Sequence, residues 1–95
     1  MIKSYILVFD NSVLPRQKVI EYLNHKSADI NNWYAFMDNS IILLSHNDVH
    51  GLSELFRAGF PDVRHIITRA KRKEINGWIE MDAWDFINKT KEKII

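Results

Sequence analysis

The chain has 95 residues, enough for one domain and too few for a second core. With 46% hydrophobic and 26% charged residues and a net charge of +1, it has the balance of an ordinary globular domain. It lacks the large positive field that by itself advertises nucleic-acid binding. The absence of cysteine excludes disulfides, thiolate zinc sites and cysteine nucleophiles, and no apolar stretch approaches the roughly 18 residues of a membrane span.

The first element is the run Ser4-Tyr5-Ile6-Leu7-Val8-Phe9, which stops at the carboxylate of Asp10. A near-continuous apolar run rich in β-branched and aromatic residues reads as a buried strand. The preceding Met-Ile-Lys reads as strand rather than signal peptide, so a cytoplasmic location and no membrane partner are expected. Asn11 and Ser12 make a polar turn, and Pro15 suits the first turn of a helix, where its missing N–H has no partner to lose. Val19, Ile20 and Leu23 recur at helical spacing, with Arg16, Gln17, Lys18 and Glu21 facing water. The polar segment 24–32 ends that helix.

Two further runs, Trp33 to Met37 and Ser40 to Leu44, flank Asp38-Asn39. Asp and Asn tolerate the positive φ of a two-residue hairpin, which predicts an antiparallel pair. Ser45, Asn47 and Asp48 offer caps for a second helix with the apolar stripe Val49, Leu52, Leu55 and Phe56; Gly59 and Pro61 stop it. Val63 to Arg69 reads as a fourth strand. The order β-α-β-β-α-β is the split-βαβ pattern of the α+β, ferredoxin-like class: a four-stranded antiparallel sheet with both helices on one face. Residues 1–69 then form the core of a single domain over 1–95. The tail from Ala70 carries Trp78, Met81, Trp84, Phe86 and Ile87, too much apolar surface to leave in water. It is expected as a helical or extended lid on the sheet or as half of a dimer contact, with Trp78, Trp84 and Phe86 at the interface. Asp82 could cap a helix there, followed by a solvated run over 89–93.

Asp10 is the leading catalytic candidate, because a strand's carboxyl end is where small domains gather loops and chemistry. A carboxylate suits Mg²⁺, and two copies of one acid across a two-fold axis would supply the pair that such an ion takes. The competing role is a cap on the turn after the first strand. His46 and His50 are four apart, as zinc ligands on a helix can be, but His46 precedes the expected cap and no general base accompanies the pair. His25 and His65 stand alone. The densest positive segment is Arg64, Arg69, Lys71, Arg72 and Lys73, five cations in ten residues. These could follow a phosphate backbone while Trp78 stacks on a base, or they could be charges guarding an edge strand. Trp33, Tyr34 and Phe36 do not make an RNA-stacking sheet, since the neighbouring strand is aliphatic. With three glycines, a phosphate cradle is not expected.

The first strand from Tyr5 to Asp10, the segment Asn32-Trp33-Tyr34 followed by Ser40-Ile41-Ile42-Leu43, and Ala83-Trp84-Asp85-Phe86 together resemble a known group. It is the SinR-like branch of small ferredoxin-like proteins related to the CRISPR adaptation small subunit. VapD-type toxins and GhoS-type antitoxin endoribonucleases share the architecture. The resemblance implies a homodimer and, in the nuclease members, a divalent metal at the dimer axis on the acid matching Asp10. The expectation is therefore a homodimeric binding or accessory module without a cofactor, in a nucleic-acid, phage-defence or toxin–antitoxin setting, with RNA or DNA as partner. Two alternatives stay open: a Mg²⁺-dependent endonuclease using Asp10 of both subunits, and a pure protein-interaction module such as an antitoxin or inhibitor.

Overall fold

The structure is a computed structural model that describes residues 1–88, without the side chain of Arg72. The solvated run expected over 89–93 lies outside the described residues. The elements run in the order β1 (Lys3–Phe9), α1 (Arg16–Asn24), β2 (Asn32–Met37), β3 (Ser40–Ser45), α2 (Val49–Gly59), β4 (His65–Arg69), a 3₁₀ turn (Arg72–Glu74) and α3 (Met81–Asn88). The four strands form one antiparallel sheet in the order β2-β3-β1-β4.

Strand alternation sorts the apolar side chains into two cores. Tyr5, Leu7 and Phe9 of β1 and Ile41 and Leu43 of β3 point to one face. There they meet Val19 and Leu23 of α1 and Leu52 and Phe56 of α2. On the other face, Ile42 and Leu44 meet Ala83, Phe86 and Ile87 of α3, with Ile6, Tyr34 and Phe36 packed around them. All six residues of β3 are buried, because this strand is central and covered on both faces. Helix α3 of the tail is therefore a lid on its own chain's sheet. Phe86, expected at an interface, is 5% exposed, with its ring 5.5 Å from that of Tyr34. Trp84 packs half-buried against the same core.

Local chemistry explains the boundaries. Pro15 stands at the N-cap of α1 with extended backbone, one position before the first helical residue. Of the three capping candidates before α2, Asp48 is the cap, its carboxylate accepting from the Gly51 N–H at 2.7 Å. β4 begins at His65 rather than Val63, since Val63 N–H is bonded to the Phe60 carbonyl in the turn after α2. The β2–β3 hairpin closes differently from the expected positive-φ turn. No described residue has a positive φ, and the register shifts between Ala35 and Met37, opposite Ile41 and Ser40. A bulge at Phe36 adds the right-handed twist that an ordinary turn cannot supply.

Candidate nucleic-acid interface and the Asp10 turn

Asp10 leaves β1 half-buried, with both carboxylate oxygens engaged. Oδ1 accepts from the Ser12 N–H at 3.1 Å and from the Ser12 hydroxyl; Oδ2 accepts from Arg64 Nη2 at 3.1 Å. The backbone joins in: Asp10 N–H donates to the Arg64 carbonyl at 3.1 Å, and the Asp10 carbonyl accepts from Leu14 N–H at 3.2 Å. The side chain closes an Asx turn and ties the exit of β1 to the approach of β4. Its hydrogen bonds from Ser12, then the Arg64 guanidinium, hold its carboxyl below the ordinary carboxylate range.

The sign of that shift sets a pH dependence. A depressed folded-state pKa gives a stabilisation that is complete above the ordinary carboxylate range and is lost as pH falls through the folded value. The Asp10 carboxyl resonance should therefore titrate with a midpoint below the peptide value of about 3.9. Asp10→Asn should remove this share of the acid sensitivity while the fold persists. A wild-type midpoint at or above the peptide value would contradict the geometry.

Around Asp10 lies an open groove of 410 Å³ lined by Val8, Asn11, Asn39, Arg64 and Ile66 among others. Within one chain, Asp10 is the one carboxylate lining it. The one carboxylate already faces a guanidinium, whose charge competes with a metal, and no group of three or more His, Cys, Asp or Glu side chains converges among the described residues.

The five cations do not form one cluster. Arg64 precedes β4, is 90% exposed and is paired with Asp10. Arg69 ends the strand, so the two lie five steps apart along it, about 17 Å. Arg69, Lys71 and Lys73 do share one end of the edge strand. All three are exposed and form no ion pair among the described residues. The side chain of Arg72 lies outside the description. Trp78, a few residues further along, is 98% exposed.

The histidines take separate positions. His46 is exposed before the Asp48 cap, and His50 is exposed in the first turn of α2. His25 Nδ1 lies 2.7 Å from the Glu21 carbonyl oxygen. His65 carries an interaction that no sequence motif signals: its Nε2 lies 2.7 Å from the Ser53 hydroxyl, with its ring 4.7 Å from that of Phe56. That pair exists because α2 packs on β4. Likewise, Trp33 Nε1 donates to Asn24 Oδ1 at 2.8 Å, joining the end of α1 to the start of β2. Tyr34 and Phe36 lie beneath α3, so the sheet offers no exposed aromatic platform.

No helix among the described residues is long and apolar enough to cross a membrane. No protein-family model, curated protein or solved structure matches the chain.

Proposed function

We propose that this chain is a ferredoxin-like nucleic-acid-binding accessory module that holds single-stranded RNA or DNA at the end of β4. The observation that carries this reading is the stretch from Arg69 to Trp78. Three exposed cations without ion-pair partners among the described residues are followed by an almost fully exposed indole. Lys and Arg bind phosphates by releasing condensed counterions, and an aromatic face stacks on any base, so this pairing suits a single strand read without sequence preference. The β2-β3-β1-β4 sheet order, with the first six elements running β-α-β-β-α-β, supports the ferredoxin-like assignment. The module acts as a homodimer. Met37, Ser40, Val8 and Ile66 form one row across the sheet beyond the reach of α3, and its three apolar members are exposed.

Each phosphate contact contributes about 0.7–0.9 to the slope of log affinity against log salt. Replacing Arg69, Lys71 and Lys73 together by Ala should flatten that slope by up to about two and a half units, with thermal stability nearly unchanged because exposed charges contribute little to folding. Trp78→Ala should weaken binding about equally at all salt concentrations. If wild-type protein shows no salt-sensitive binding to any single strand in dilute buffer, the reading is wrong, and the cations only guard the edge strand.

A further inference from the structure

At the end of the sheet occupied by Arg69, but on the opposite edge, a cavity of 160 Å³ opens between the end of α1 and the start of β2. Leu23 and Ile30 are its apolar floor, Trp33 is a wall, and Asn24, Ser27 and Asn32 bring polar groups to it; no charged side chain lines it. The orientation of two of these carboxamides is fixed by chemistry. An indole N–H can only donate, so Asn24 must turn its oxygen to Trp33 Nε1. A backbone N–H also can only donate, so Asn32 must turn its oxygen to the Trp33 N–H, at 2.9 Å. Both residues are exposed, and their amide N–H groups are left free to donate to a ligand in place of water.

A neutral, ring-sized cavity with an indole wall and two carboxamides whose oxygens are already engaged calls for a flat, uncharged ring bearing carbonyl acceptors. We propose that it is a pocket for a keto nucleobase, of the uracil or guanine type, splayed out from a bound single strand. Unstacked bases are recognised by aromatic side chains together with hydrogen bonds to their edges. This deepens the nucleic-acid reading and rests on it for the choice of a base over other neutral rings. The placement suits a strand crossing the molecule. Asn32 pairs with Leu44, Leu44 with Ser4, and Ser4 bonds to Ala70, so the pocket and the cations lie in one row, three strand spacings or about 14 Å apart.

The test uses a nucleoside, which carries no phosphate and so bypasses the cations. Uridine titrated into the ¹⁵N-labelled protein should move the indole signal of Trp33 and the side-chain amide signals of Asn24 and Asn32. Adenosine, which has no carbonyl, should move them at least tenfold less at equal concentration. Asn24→Asp keeps an oxygen for the indole while removing the N–H donors, and should weaken uridine binding at least tenfold with the Trp33 indole signal retained. Asn32→Gln is a second variant that keeps amide chemistry but misplaces it. Unmoved signals, equal response to adenosine, or unchanged affinity in both variants would overturn the pocket. If a single strand binds with a steep salt slope while uridine moves nothing, the pocket fails and the cation reading stands. If uridine binds as described while no strand binds salt-sensitively, the pocket stands and the cation reading fails.

Discussion

Phe86→Ala should destabilise the protein by about 3–5 kcal/mol, the range for deleting a large buried aromatic. The side chain is 5% exposed, sits against Tyr34, and shares the second core with Ile42, Leu44 and Ile87. A 95-residue domain has a total stability of about 5–14 kcal/mol, so the loss is a large fraction of the whole. Denaturant unfolding should show a lower midpoint with little change in slope if α3 still docks, and a reduced slope if it detaches and exposes its surface before unfolding. Trp78→Ala is the control. At 98% exposure its ring touches little, and the midpoint should stay within the scatter of surface substitutions, about 0.5 kcal/mol. Equal effects from the two changes would mean that α3 is not the lid the structure shows.

The second large effect is expected at Ser45, which is fully buried at the end of β3. Its hydroxyl donates to the Asp29 carbonyl and accepts from the Asn47 N–H at 2.9 Å. One oxygen thus joins the loop before β2 to the approach of α2. Ser45→Ala removes both partners at once and leaves a carbonyl and an N–H without them, at about 1–3 kcal/mol each when no water can replace the hydroxyl. A loss of about 2–4 kcal/mol is expected in chemical denaturation, while Ser45→Thr, which keeps the hydroxyl, should recover part of it. A loss below about 0.5 kcal/mol in Ser45→Ala would show that water reaches these groups.

The elements were legible where one local rule decided them. β1 declares itself by its apolar run, α2 by the Asp48 cap and the stripe of Leu52 and Phe56, and the stop at Gly59 by the proline beyond it. The hairpin was legible as a hairpin but not in its closure, because a bulge at Phe36 depends on the twist of two strands rather than on the turn residues. The site was less legible. Asp10 was found from its place after β1, but its partner Arg64 is 54 positions away and reaches it only because β4 pairs with β1. The extended backbone of β4 carries Arg64 away from Arg69, although in sequence they read as one basic segment. Phe86 read as interface because a stripe on a tail carries no mark of whether it meets its own sheet or another chain's. The donors of Asn24 and Asn32 had no signal at all, since they depend on where one indole comes to rest.

The two faces of β3 are sealed by parts of the chain that follow different routes. Helices α1 and α2 are threaded between strands, so they cannot leave without dismantling the sheet, whereas α3 hangs on after the last strand. Undocking α3 breaks no strand pairing and bares Tyr34, Ile42 and Leu44 to solvent. The protein therefore has a partial opening in which the smaller core is exposed while the larger one stays ordered. Amide exchange should divide along this line, with α3 opening at a lower free energy than β1 and β3. The opened species would be a nearly native molecule with a sticky sheet face, so self-association under stress would start from a folded form rather than from the unfolded chain.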